Sequence, residues 1–162
     1  MKKITLLLLI ALFSFSGCEK DDICDANTPT TPRLVLTFYD INNPSVLKSV
    51  TKLKVVGEGM TEGIIFNATA TGDSKYLTSA NTISIPLKTD ADTTTYSFTY
   101  NYGNANPALV FVDTVTINYS RNTIYVSRAC GYKTVFTLSP SNAIIHTAVP
   151  SSSDTWMRYI SV

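Results

Sequence analysis

From Arg33 onward, apolar and polar side chains alternate with a period of two, the pattern of strands that bury one face. Leu34, Leu36 and Phe38 alternate with Val35, Thr37 and Tyr39, and Leu53 and Val55 alternate with Lys52 and Lys54. Ile83, Ile85 and Leu87 alternate with Ser84, Pro86 and Lys88. Proline has no amide donor, so that strand is predicted at a sheet edge. Further rows are Tyr96, Phe98, Tyr100 and Tyr102, then Val115, Ile117 and Tyr119, then Ile124 and Val126, then Phe136 and Leu138. Ile144 to Val149 and Arg158 to Val162 are two short candidates. Turn-forming clusters separate these rows, among them Asn42-Asn43-Pro44, Gly57-Glu58-Gly59, Gly72-Asp73-Ser74 and Pro140-Ser141-Asn142. Ser120-Arg121-Asn122 is predicted as a tight hairpin between its two flanking rows. No apolar 3.6-residue period persists. The expected fold over residues 33–162 is therefore all-β, an antiparallel, immunoglobulin-like β-sandwich, with an up-and-down barrel as the alternative.

Upstream the pattern changes. Lys2 and Lys3 precede an apolar run from Ile4 to Phe13 that only Thr5 interrupts. A run of about ten residues is too short to span a bilayer, which takes about 20 helical residues. With its basic flank it reads as a secretory leader over residues 1–17. Phe15-Ser16-Gly17-Cys18 resembles the lipobox of bacterial lipoproteins, with Phe15 standing where leucine is usual. The resemblance implies a diacylglyceryl group on the Cys18 sulfur, cleavage before Cys18 and a further acyl chain on the new amine. A single acyl chain binds a membrane marginally, whereas two or more hold it stably. Residues 18–32 would then form the lipidated N-terminus and a polar, Thr/Pro-rich tether. Glu19 occupies the place where enterobacterial inner-membrane retention uses aspartate, and Lys20-Asp21-Asp22 resembles the surface-export signal of Bacteroidota lipoproteins. The expected location is the outer membrane, facing outward, with a periplasm-facing anchor as the alternative.

The chain has three cysteines. With Cys18 lipidated, Cys24 and Cys130 remain in an oxidising compartment, where two thiols can make one bridge. The alternative is two buried free thiols. Hydrophobic residues at 44% and charged residues at 15% exclude a solvated coil. The net charge of +1 becomes −1 when Lys2 and Lys3 leave with the leader, which gives nucleic acid no electrostatic footprint.

Candidate chemistry is sparse. His146 is the single histidine, so any Ser-His-Asp or Cys-His arrangement must use it. No G-x-S-x-G elbow accompanies it, and its strand-like surroundings read as a half-exposed strand position. One histidine without a cysteine cluster excludes a structural zinc site. Asp90 and Asp92 with Thr93 fall short of the six to eight oxygens that calcium takes, and read as a solvated loop. Neither metal nor cofactor is expected. Phe98 in the row of Tyr96, Tyr100 and Tyr102 marks that row as core rather than a sugar-stacking platform. Tyr39, Tyr125 and Tyr132 are the better candidates for exposure, and Trp156 lies in a polar loop. Asp92-Thr93-Thr94 and Asp113-Thr114-Val115 resemble the O-glycosylation sequon of Bacteroidota secreted proteins, making Thr93, expected in a loop, and Thr114 candidate acceptors.

The lipobox occurs together with Asp22-Ile23-Cys24, Thr31-Pro32-Arg33-Leu34, Ile83-Ser84-Ile85-Pro86-Leu87 and Ala129-Cys130-Gly131. As a set these motifs resemble a family of small Bacteroidota lipoproteins known only as a domain of unknown function. The resemblance implies that Cys24 pairs with Cys130 and carries no catalytic residues. The expected role is that of a non-catalytic interaction or accessory module, held to the membrane by its lipid and binding an envelope protein through loops or an edge strand. Capture of glycans or peptides by exposed aromatics is the alternative.

Overall fold

The computed structural model describes residues 23–40 and 42–146. The leader, Cys18, the candidate strand Arg158 to Val162 and Trp156 lie outside the described residues. The described residues form eight strands in chain order: β1 Leu34–Thr37, β2 Leu53–Gly57, β3 Leu77–Thr78, β4 Thr82–Ile85, β5 Thr93–Tyr100, β6 Phe111–Ser127, β7 Gly131–Leu138 and β8 Ile144–His146. Two short 3-10 turns, Gly72–Tyr76 and Pro107–Leu109, are the helical pieces among the described residues. The all-β, antiparallel architecture is the one that the alternation predicts.

The strands divide between two sheets. β1 pairs with β4, placing Leu34 opposite Ile85 and Leu36 opposite Ile83. The larger sheet runs β3-β2-β5-β6-β7, and β8 pairs with β6 beside that path. Val55 lies opposite Phe98, Tyr96 opposite Val115, and Ile117 opposite Ile144. Because the side-chain period is two, these registers turn one face of every strand inward.

The chain forms two compact units. Of the described residues, the larger holds 32–40, 42–121 and 136–146, and the smaller holds 23–31 together with Asn122–Val135. Both sheets contribute to the core of the larger unit, where Leu34, Leu36, Ile83 and Ile85 join Leu53, Val55, Phe98, Val115, Ile117 and Tyr119. Leu53, Ile85, Ile117, Val55 and Val115 are the largest fully buried side chains. Each contributes about 1.5–3 kcal/mol of hydrophobic stabilisation on burial.

Three local expectations meet different outcomes. β4 stops at Ile85, and its one strand partner among the described residues is β1, so the row containing Pro86 lies at an edge there. The turn expected at Ser120-Arg121-Asn122 is absent, and β6 runs through it unbroken. These three residues are exposed, so the polar run that imitates a turn is the wet surface of an extended strand. The reversal falls instead at Arg128–Cys130, where Gly131 takes φ +67 and the Ser127 hydroxyl accepts the Cys130 N–H at 3.0 Å. Tyr102, expected in the row of Tyr96 and Tyr100, leaves that row because Asn101 takes φ +53 and ends β5.

Candidate functional site

The smaller unit is built on the chain reversal between β6 and β7. Cys24 and Cys130 are joined by a disulfide, with Cα atoms 4.9 Å apart and a sequence separation of 106. Farther along, the Thr134 N–H donates to the Thr31 hydroxyl at 3.1 Å. The N-terminal segment is therefore fastened at two points, one at the turn and one on β7. Tyr125 and Tyr132 meet edge to face with ring centroids 5.3 Å apart. They remain 58% and 70% exposed, and Ile23 beside the bridge is 83% exposed. A large apolar surface left wet in this way marks a contact surface more often than does a scattered single residue.

The larger unit uses its polar side chains to hold chain segments. The Lys88 N–H donates to the Thr94 hydroxyl at 2.9 Å, and the Thr94 and Tyr119 hydroxyls are 2.5 Å apart. Tyr119 in turn donates to the Lys88 carbonyl at 2.9 Å. With Thr94 donating to Tyr119, the three bonds close a ring that satisfies each hydroxyl, which explains how Thr94 is tolerated at 3% exposure. The Tyr96 hydroxyl donates to the Pro86 carbonyl beside this ring. The segment after β4, which cannot continue as strand through Pro86, is thus held against β5 and β6 by side chains.

Burial pushes the Tyr96 phenol up to about 12, against an ordinary value of 10. The folded state holds this proton more tightly than the unfolded state. The associated stability is fully present below pH 10 and is lost as pH rises toward about 12. Solvent screening trims the 1.36 kcal/mol per pKa unit, and the loss is about 1–2 kcal/mol. Urea unfolding across this range should show the decline, and Tyr96→Phe should flatten it. An equally steep decline in Tyr96→Phe would refute the assignment.

Two further clusters combine charge with rings or imidazole. On β2, the Lys54 ammonium donates to the Tyr102 hydroxyl at 3.0 Å and to Asp73 at 3.3 Å, 4.1 Å from the Tyr102 ring centroid. The Tyr102 hydroxyl and then Asp73 hold the Lys54 pKa above its ordinary value. On β6 and β8, His146 Nδ1 lies 2.5 Å from Asp113 Oδ2. Asp113 is 4% exposed, whereas His146 is exposed. A buried carboxylate orienting an imidazole is two-thirds of a hydrolytic triad. Among the described residues, however, no serine or threonine hydroxyl bonds His146.

The sequence-predicted positions divide accordingly. Cys24 and Cys130 come together, and Tyr125 and Tyr132 lie exposed beside their bridge, whereas Tyr39 is half-buried. Thr93 is exposed as the first residue of β5 rather than within a loop, and Thr114 is half-buried within β6. Asp92 accepts from Arg121 Nε at 2.7 Å, while Arg121 Nη1 donates to the Thr89 carbonyl at 2.7 Å, so the acidic loop is clasped by a cation. No group of three or more His, Cys, Asp or Glu gathers among the described residues. Asp113 as a partner of His146 was legible in part, since the period of two puts it in the buried row of Val115, Ile117 and Tyr119. The meeting of Lys54, Asp73 and Tyr102 leaves no local signal, because the three come from separate stretches of chain.

Among the described residues, no helix is long and apolar enough to cross a membrane. No curated protein and no solved structure matches the chain. A family model does match, over residues 52–152, a span that includes Cys130 and leaves Cys24 outside. That span is more than half of the chain, and the protein belongs to the family of unknown function DUF6452.

Proposed function

We propose that the protein is a lipid-anchored envelope lipoprotein of Bacteroidota type, held by acyl chains on Cys18 and facing outward from the outer membrane. Its role is that of a non-catalytic interaction module. The observation that carries this reading is the Cys24–Cys130 bridge, which fastens the chain six residues after Cys18 to a chain reversal of the fold. Disulfides persist outside the cytosol, in agreement with the leader and lipobox. The non-catalytic reading draws on the use made of the ordered polar groups: Thr94, Tyr119, Tyr96 and Arg121 hold loops, and Lys54 is bound to Tyr102 and Asp73. Among the described residues β1 and β4 have one strand partner each, and each presents there a backbone edge to which an extended partner strand can be added. Thr93, exposed at the start of β5, is the more accessible of the two O-glycosylation candidates.

The test fractionates cells that produce the full chain with its leader. The native protein is expected in the outer-membrane fraction with acyl chains on Cys18, and Cys18→Ser should move it out of that fraction. A Cys18→Ser protein that stays in the membrane fraction overturns the anchor. Crosslinking in intact envelopes should recover a protein partner, and a chain that always emerges alone counts against the interaction role. Capture of glycans or peptides is the second reading, and the exposed Tyr125 and Tyr132 pair is what favours it.

A further inference from the structure

We infer that the reversal between β6 and β7 is the membrane-facing end of the smaller unit, and that Tyr125 and Tyr132 seat in the headgroup layer of the bilayer that carries the anchor. The inference rests on the lipid anchor at Cys18 and adds the surface that meets the lipid.

The argument begins with reach. Six residues separate Cys18 from Cys24, so even fully extended they span only about 20 Å. The bridge places Cys24 at Cys130, in the turn itself, while Thr31 is held farther along β7 at Thr134. The N-terminal segment therefore runs along β7, and Cys24, six residues after Cys18, sits at the turn end. An acyl chain on Cys18 consequently holds that end near the membrane. Tyr132 is two residues from Cys130 and Tyr125 is five, so at about 3.3 Å per residue both rings lie within the same reach.

The chemistry of that end fits the location. Tyrosine is amphipathic, and its ring with a polar tip concentrates where hydrocarbon meets headgroups. The two rings touch one another and are otherwise largely wet. Residues 122–135 carry two cations, Arg128 and Lys133, and no acidic residue. Long basic side chains can lay their stems on the acyl boundary while their heads reach phosphate. The acidic residues of the smaller unit lie in the N-terminal segment instead, where they are compatible with a hydrated tether.

The test uses the full chain, produced with its leader, extracted from membranes and reconstituted in phosphatidylethanolamine–phosphatidylglycerol vesicles. Tyr125→Trp and, separately, Tyr132→Trp supply indole reporters, and subtraction of the parent protein removes the emission of Trp156. The added indole is expected to shift to the blue and to lose about half its emission when acyl-brominated phosphatidylcholine is included, as an interfacial aromatic would. Mass spectrometry of the N-terminal peptide reads the anchor separately. An acylated protein whose reporters ignore bromination overturns the seated pair and leaves the anchor standing. A protein without acyl chains overturns both. Reporters that ignore bromination but shift with added glycans or peptides make the pair a ligand platform and likewise overturn the proposal.

Discussion

Replacing Cys24 and Cys130 together by serine is expected to lower the unfolding free energy by about 4–5 kcal/mol. The bridge joins residues 106 apart, so the loop it closes contains most of the folded chain. In the chain-entropy account the stabilisation lies mainly in the unfolded state, which loses the freedom to separate those ends, and it grows slowly with loop length. Typical domains are stable by only about 5–15 kcal/mol, so this loss is large. Equilibrium urea unfolding of the full chain with and without the two substitutions measures it. The midpoint should fall, and the slope should rise because an uncrosslinked unfolded chain exposes more surface. A local consequence accompanies the global one. Without the bridge, the Thr134 amide bond to Thr31 is left to hold the N-terminal segment, and hydrogen exchange at Thr134 should accelerate. An unchanged midpoint would show that the bridge closes nothing the unfolded chain would otherwise explore.

Ile117→Ala is expected to cost about 3–4 kcal/mol, from lost transfer energy and the cavity left behind. Ile117 is 0% exposed and lies on β6 between Thr94 of β5 and Ile144 of β8. With strands on both sides, the backbone around it has little room to collapse into the space. Ile117→Val, which removes one methylene, should cost about 1 kcal/mol. Val112 on the same strand provides the contrast: it is 55% exposed, and Val112→Ala should stay within about 0.5 kcal/mol. Thermal and urea unfolding of the three variants measures the series. Equal effects at Ile117 and Val112 would contradict the inward register of β6.

The alternation of Leu34, Leu36, Leu53, Val55, Ile83, Ile85, Val115 and Ile117 was enough to place these residues in the core. In a strand, facing is decided by parity alone, and parity is written in the sequence. The same parity puts Asp113 in the row of Val115 and Ile117, although the sequence reading took it only as part of a glycosylation sequon. The exposure of Tyr125 and Tyr132 was also legible from their place outside the apolar rows. The error at Ser120-Arg121-Asn122 has the same root as these successes. Polarity reports contact with water, and water covers an exposed strand as readily as a turn. Backbone dihedral angles distinguish the two, and Asn101 and Gly131 take positive φ where β5 ends and β7 begins.

Reading along the chain alone yields the all-β content, the inward residues, the leader pattern and the one pair of cysteines left once Cys18 is assigned to lipid. These follow from local periodicity, composition and counting. It took the assembled fold to show that β4 leaves its sequence neighbours to pair with β1, that Lys88, Thr94 and Tyr119 close a ring of hydrogen bonds, and that Cys24 meets the turn beside Tyr132. Each of these joins groups from separate stretches of chain. Their partners are selected by the packing of whole strands, a choice that no window of neighbouring residues contains.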